Sequence, residues 1–90
     1  MRTITFARRA ARDRKSLPRE RRAQIAAELQ LLAEGKRETL DIQPIQGHKP
    51  WHRLRVGTYR VIFRETAEAI EVARVVSRQE LDEAIRQLTR

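Results

Sequence analysis

Arginine dominates the side chains of this sequence that could take part in chemistry, and one stretch concentrates them. Residues 47–64 carry five basic side chains and no acidic one. The planar guanidinium of arginine donates two parallel hydrogen bonds to a phosphate or a carboxylate. The stretch therefore predicts a surface for a polyanion or for an acidic protein segment. The alternative is a solvated face, or one whose arginines pair with Glu65, Glu68 and Glu71.

Arginine suits one of the three tasks in metal-free chemistry on a phosphodiester. Such a reaction needs the attacking hydroxyl deprotonated, the pentavalent phosphate stabilised and the leaving oxygen protonated. Arginine stabilises the phosphate, but its pKa lies so far above neutrality that it rarely exchanges protons there. Histidine is the natural proton carrier, and His48 and His52 are the only two in the chain. His48 falls in a loop, either near a ligand or simply exposed, whereas strand alternation points His52 toward the core.

The composition excludes several other kinds of site. The chain has no cysteine, so disulfides, thiol nucleophiles and cysteine-based zinc sites are absent. It has no glycine-rich phosphate loop, paired catalytic carboxylates, histidine metal cluster or Ser-His-Asp set, and we expect no cofactor. Ninety residues predict a single domain over 1–90 with marginal stability. No apolar run approaches a membrane span and no signal peptide is evident, so we expect a cytoplasmic protein without membrane contact.

The hydrophobic pattern predicts an α+β domain of order β-α-α-β-β-β-α. The predicted elements are a strand (2–6), a helical hairpin (7–16 and 18–34), an antiparallel three-stranded meander (51–56, 59–64 and 69–76) and a C-terminal helix. Residues 36–50 are expected to form a loop. Gly35 is the expected stop of the second helix, and Ser77 with Glu80 forms a capping-box pattern at the start of the last one.

A tight turn at Gly57-Thr58 fixes which residues of the central hairpin share a face. Val56 then lies opposite Tyr59, and Arg55 lies opposite Arg60. The apolar face holds Leu54, Val56, Tyr59, Val61 and Phe63. The other face, called here the cationic face, holds Trp51, Arg53, Arg55, Arg60, Ile62 and Arg64. Cations that face each other on neighbouring strands are destabilising, which favours an anionic ligand.

The N-terminal region is a second basic segment. Residues 1–22 carry nine basic and two acidic side chains. Arg8, Arg12 and Lys15 fall on the first predicted helix, where they are typical of a non-specific phosphate-binding surface. A helix that is merely solvated is the alternative.

The stretch from Gln46 to Arg64, QGHKPWHRLRVGTYRVIFR, resembles the signature of the RelE/ParE toxin superfamily of bacterial type II toxin–antitoxin systems. In that signature a leucine-arginine-x-glycine-x-tyrosine-arginine-hydrophobic hairpin follows a lysine- or glycine-rich loop. The likeness extends to the helical hairpin and to strand 69–76, and it is closer to the RelE branch. It implies the RelE-like fold. RelE-type toxins cut mRNA in the ribosomal A site and are neutralised by a cognate antitoxin, whereas ParE-type toxins act on DNA gyrase.

The resemblance also implies roles for individual residues. It assigns catalysis to Arg53, Arg60 and Arg78, with Arg60 at the scissile phosphate. Expected RNA contacts are Arg55, Arg64, Lys49, Trp51, His48, Arg8, Arg12 and Lys15. Trp51 stands where some members carry a basic residue, and it could stack on a base or pack against the antitoxin. The C-terminal tyrosine of many active members is absent.

The favoured function is therefore a ribosome-dependent mRNA endoribonuclease that inhibits translation, with mRNA, the ribosome and an antitoxin as partners. A ParE-like gyrase inhibitor is the first alternative. The missing tyrosine makes a degenerate toxin, inactive but still bound by antitoxin, the second. A generic nucleic-acid-binding domain would leave the hairpin resemblance unexplained.

Overall fold

The fold is a five-stranded sheet with two helices on one face and a short helix on the other, seen in a computed structural model that describes residues 1–88. The elements are β1 (Thr3–Phe6), α1 (Arg8–Lys15), α2 (Arg19–Ala33), β2 (Asp41–Pro44), β3 (His52–Val56), β4 (Tyr59–Glu65), β5 (Ala69–Ser77) and α3 (Leu81–Gln87). A 3₁₀ turn, Arg78–Glu80, leads into α3. The strand order is β1-β5-β4-β3-β2, with β1 parallel to β5 and the other pairs antiparallel. The predicted α+β class is confirmed, and the predicted elements follow one another in the predicted order with one additional strand.

The structure adds one strand that the sequence did not predict. Residues 36–50 were expected to form a loop, but β2 lies within them and pairs with β3 at the sheet edge. Its four residues are too few for a clear alternation, and its last residue, Pro44, weakens the strand signal. Proline is tolerated there because an edge strand leaves some N–H groups unpaired. Asp41 consequently lies opposite Arg55.

The second helix ends as its sequence predicts. Gly35 has a φ of 78°, and its N–H donates to the Leu32 carbonyl at 3.1 Å. The N–H of Lys36 donates to the Leu31 carbonyl at 2.9 Å. These two bonds form a Schellman motif, which glycine allows because it adopts a positive φ without strain.

The main core lies between the sheet and the α1–α2 hairpin. The register of β3 and β4 is the predicted one, with Val56 opposite Tyr59 and Arg55 opposite Arg60. The core includes Leu54, Val61 and Phe63 from the apolar face, and Ile25, Leu29 and Leu32 from α2. The helical stripe and the strand alternation therefore meet in one apolar layer.

A smaller cluster covers part of the cationic face, which the sequence left open. Ala84 of α3 packs there with Ile45, Ile62 and Val76, and Trp51 lies at its margin. Ile62 is fully buried. The capping box forms as expected, since the Glu80 carboxylate accepts hydrogen bonds from the N–H and the hydroxyl of Ser77. This turn directs α3 back over the sheet.

Candidate functional site

Four arginines meet at the hairpin end of the cationic face. Arg60 on β4 lies opposite Arg55 on β3, and Arg53 lies two residues earlier on β3 with its side chain on the same face. The backbone N–H of Arg78 donates to the Thr58 carbonyl at 2.8 Å, which holds the end of β5 against the hairpin turn. Arg53, Arg55, Arg60 and Arg78 are called here the arginine cluster. The three residues to which the resemblance assigned catalysis are therefore close together.

Arg60 is the buried member of the cluster. Its exposed fraction is 7%, and its Nη1 donates to the carbonyls of Gly57 and Tyr59 at 3.1 and 3.0 Å. Burial lowers the pKa of the Arg60 guanidinium, and the charges of Arg55, Arg53 and Arg78 lower it further. Arginine nevertheless remains charged at neutral pH. Within residues 1–88, Nε and Nη2 of Arg60 have no hydrogen-bond partner, so these donors are available to an anion.

Arg60 lies on the predicted cationic face, but apolar packing covers that part of the face. Strand alternation gave the correct face of the sheet but not what covers that face. Arg60 lies opposite Val76, which belongs to the small cluster under α3. Its truncation therefore removes packing as well as charge.

Asp41 is the carboxylate of this site, and sequence reasoning missed it. Its Oδ1 lies 3.6 Å from Nη1 of Arg53, and its charge opposes the lowering of the Arg60 pKa. It was missed because residues 36–50 were expected to form a loop, although the alternation of Asp41, Ile42 and Gln43 was a weak strand signal. One carboxylate beside four guanidinium groups leaves a net positive site.

Arg64, at the far end of the cationic face, has a different environment. Its Nε donates to Oε1 of Glu71 at 2.6 Å, and its guanidinium carbon lies 4.9 Å from the ring centroid of Trp51. Glu65 pairs instead with Arg2 and Arg37, away from this face. Pairing with an acid, one of the alternatives from the sequence, is therefore correct for Arg64, whereas Arg55 and Arg60 have no ion pair within residues 1–88.

The two histidines lie outside the arginine cluster. The His52 ring stacks on Phe63 with centroids 5.8 Å apart, as the alternation predicts, and its Nδ1 lies 3.1 Å from the Pro50 carbonyl oxygen. His48 is half-buried rather than exposed, and its Nδ1 is a buried atom with no hydrogen-bond partner in the described chain. Lys49 is exposed beside it. Neither histidine is hydrogen-bonded to a cluster arginine within residues 1–88.

Helix α1 presents a basic outer surface. Arg8, Arg12 and Lys15 are exposed and form no ion pair within residues 1–88. The acid of this helix, Asp13, points inward and pairs with Arg74 at 2.7 Å. Its charge therefore does little to neutralise the outer surface.

Residues 1–88 contain no group of three or more histidine, aspartate or glutamate side chains arranged to hold a metal ion. No helix in that range is both long enough and apolar enough to cross a membrane.

Comparison with known families gives a match over most of the chain. The family model described as the ParE toxin of type II toxin–antitoxin system, parDE, matches residues 4–82. This chain belongs to the ParE toxin family. No protein with a curated description is similar enough to count as a relative of this ParE-family chain.

Solved structures show the same fold in RelE-type proteins. The RelB–RelE antitoxin–toxin complex from Methanococcus jannaschii aligns with a TM-score of 0.75 and 26% identity, covering 88% of this chain and 95% of that one. The RelE–RelB complex from Pyrococcus horikoshii OT3 aligns with a TM-score of 0.71 and 20% identity over 86% of this chain and 94% of that one. YafQ from Escherichia coli aligns with a TM-score of 0.71 and 17% identity, covering 90% of this chain and 98% of that one. The superfamily suggested by the hairpin sequence is confirmed.

Proposed function

We propose that this ParE-family chain cleaves mRNA on the ribosome, so that it inhibits translation and arrests growth until a cognate antitoxin neutralises it. The observation that carries the proposal is the arginine cluster, in which a buried guanidinium, three neighbouring guanidinium groups and one carboxylate meet at one end of the sheet. A buried guanidinium beside other positive charges is stabilised when an anion binds to it. The structural similarity to RelE in complex with the antitoxin RelB supports an antitoxin partner.

The cluster would stabilise the transferring phosphate. The free donors of Arg60, with those of Arg53 and Arg78, would bind the non-bridging oxygens, whose negative charge grows as the 2′-oxygen attacks phosphorus. Donors fixed in advance are effective because they need no rearrangement in the transition state. The buried position of Arg60 and its two carbonyl contacts provide that fixation.

Proton transfer requires a group other than arginine. We assign acceptance of the 2′-hydroxyl proton to Asp41, the carboxylate beside Arg53. The bond between phosphorus and the 5′-oxygen then breaks, leaving a 2′,3′-cyclic phosphate, and solvent water protonates the 5′-oxygen. His52 is the weaker candidate because its ring packs on Phe63.

Binding to the ribosome would use the basic surface away from the cluster. Arg8, Arg12 and Lys15 on α1, and Lys49 with His48 in the loop before β3, would contact phosphates of the RNA. Such contacts raise affinity without reading sequence. These partners place the proposed activity in the cytoplasm.

Inhibition of DNA gyrase is the second candidate function. The specific observation in its favour is the family model, which is that of ParE toxins. In that case the cationic face would contact protein rather than RNA. The third candidate is an inactive toxin that still binds antitoxin. Tyr59 is the only tyrosine and packs on the main core, so it does not replace the C-terminal tyrosine that many active members carry.

Two assays run in parallel test the proposal. After induction of the chain in cells, primer extension along translated messages detects new 5′ ends, and a second assay detects gyrase-dependent DNA breaks. We expect cuts in translated messages and no DNA breaks. DNA breaks with intact messages would support the gyrase function instead, and growth without either lesion would indicate an inactive toxin.

A further inference from the structure

A groove lies at the end of the cationic face that is farthest from the arginine cluster. It has a volume of about 240 Å³ and an apolar lining from Phe6, Val72 and Ala73. Trp51, Arg64 and Glu71 line the same groove. Glu71 on β5 lies opposite Arg64 on β4, so the strand register fixes the positions of both residues.

Two contacts hold the planar guanidinium group of Arg64 in this groove. Its guanidinium carbon lies over the Trp51 ring, 4.9 Å from the ring centroid, and its Nε is hydrogen-bonded to Glu71. The side chain is 45% exposed. Within residues 1–88, its two terminal amino groups and the second carboxylate oxygen of Glu71 have no hydrogen-bond partner. The groove therefore offers an exposed plane beside a free donor and a free acceptor.

These features suit a nucleobase better than a phosphate. Glu71 neutralises Arg64 and would repel a phosphate, whereas Arg55 and Arg60 of the cluster have no ion pair within residues 1–88. Bases unstacked from single-stranded RNA stack on aromatic rings and on guanidinium planes, and proteins read their edges through hydrogen bonds. Apolar walls with a few convergent polar groups are typical of such small-ligand sites.

We propose that this groove binds one nucleobase of a single-stranded RNA, which stacks on Arg64 and hydrogen-bonds through its edge to Glu71. The proposal rests on the proposed RNA target and adds a site that contacts the base instead of the phosphate. Arg64 lies four positions after Arg60 along β4, a distance of about 13 Å at the usual rise of a strand. Ile62, between them, is covered by the α3 cluster. The base in the groove therefore belongs to a different nucleotide from the one cleaved.

Trp51 is the only tryptophan, so its fluorescence reports directly on the groove. The probes are the four ribonucleosides, which carry no phosphate, compared with ribose 5-phosphate, which carries no base. Excitation at the red edge of the tryptophan band avoids absorption by the nucleosides. We expect a saturable change in Trp51 fluorescence with at least one nucleoside and none with ribose 5-phosphate.

Substitution of Arg64 separates stacking from charge. Arg64→Lys keeps the charge and loses the plane, and it should weaken nucleoside binding about fivefold or more, the lower end of what one stacked base contributes. Arg19→Lys, the same change at an exposed arginine on α2, should leave binding unchanged. Circular dichroism and thermal unfolding confirm that both variants are folded.

Either of two results would overturn the base site. One is the absence of any saturable response to the four nucleosides, and the other is an equal response in the wild-type chain and Arg64→Lys. These results are independent of cleavage. A chain that cuts mRNA without binding nucleosides refutes the groove alone, whereas one that binds nucleosides without cutting mRNA refutes the cleavage proposal alone.

Discussion

At the residue scale, Arg60 links the proposed chemistry to the stability of the fold. A buried guanidinium beside three others raises the free energy of the folded chain, and the carbonyls of Gly57 and Tyr59 offset part of that cost. An anion bound to the cluster offsets more of it. The site is therefore expected to be more stable when occupied than when empty.

Arg60→Ala should abolish growth inhibition and also weaken the fold moderately. The substitution removes the donor from two carbonyls near the surface and some packing against Val76, so the free energy of unfolding should fall by about 1 to 2 kcal/mol. Arg60→Lys keeps the charge but loses the planar fork, and it should be partly active. Growth assays and urea unfolding measure the two effects. Full growth inhibition by a folded Arg60→Ala chain would show that Arg60 is not part of the site.

The sequence predicted the identity of the cluster better than its environment. The family resemblance pointed to Arg53, Arg60 and Arg78, and the turn at Gly57 fixed the register that places Arg55 opposite Arg60. Alternation along a strand specifies a face, but it does not specify which distant element covers that face. The burial of Arg60 and the approach of Asp41 depend on α3 and β2, whose positions are set by tertiary packing.

At the element scale, Glu65 joins three separate parts of the chain. At the end of β4 it accepts hydrogen bonds from Arg37, which lies between α2 and β2, and from Arg2 at the start of β1. The hydrogen bonds from Arg37 lower the pKa of Glu65, and Arg2 lowers it further, against the raising effect of partial burial. These hydrogen bonds connect the start of β1 and the segment after α2 to the end of β4.

Glu65→Gln should reduce stability at neutral pH and much less at low pH. A carboxyl group whose pKa is lower in the folded chain stabilises the fold above its ordinary pKa of 4.5, and that contribution is lost as the pH falls through the folded value. Urea unfolding at pH 7 should show a loss of about 1 to 2 kcal/mol that shrinks near pH 3. Glu68→Gln is the matched control, because Glu68 is exposed and forms no ion pair within residues 1–88. An equal loss at both pH values would show that the charge of Glu65 is not stabilising.

Helix α1 should contribute affinity without sequence preference. Replacing Arg8, Arg12 and Lys15 together by glutamine removes three exposed, unpaired cations and should weaken binding to ribosomes. The slope of log K against log salt should become shallower by roughly 2 to 3, since fewer counterions are released. The positions of mRNA cuts should not move. Shifted cuts would mean that α1 orients the substrate.

The bounds of the helices and strands show which elements the sequence could predict. The elements with a clear hydrophobic period, such as α2 and β4, begin and end within one residue of their predicted bounds. Strand β2 was missed because four residues ending in proline carry little periodic signal. It is stable as a strand because β3 offers it a partner and Ile42 packs on the core.

At the scale of the whole molecule, the net charge of +8 and the basic surfaces point to an acidic partner. We expect a predominantly acidic antitoxin segment to cover the face that carries Arg53, Arg55, Arg60 and Arg64, or to displace α3. Arg64 should contribute least, because Glu71 already neutralises it. Ligands that bind only the folded chain stabilise it by mass action.

The complex with antitoxin should therefore melt at a much higher temperature than the free chain, and added salt should reduce the difference. Calorimetry of the free chain and of the complex, at low and high salt, measures both effects. Reversal of charge at Arg55, by Arg55→Glu, should weaken the complex more than Arg19→Glu on α2. An unchanged melting temperature with saturating antitoxin would argue against a tight neutralising complex.

The most direct test of the central claim is the rate at which purified chain cuts an mRNA held on ribosomes, compared between wild type, Arg60→Lys and Arg60→Ala. A fixed donor to the transition-state oxyanion contributes about 3 kcal/mol. We therefore expect Arg60→Ala to cut about a hundredfold more slowly than wild type, with Arg60→Lys between the two. Cutting by folded Arg60→Ala at the wild-type rate would contradict the claim that the arginine cluster performs the reaction.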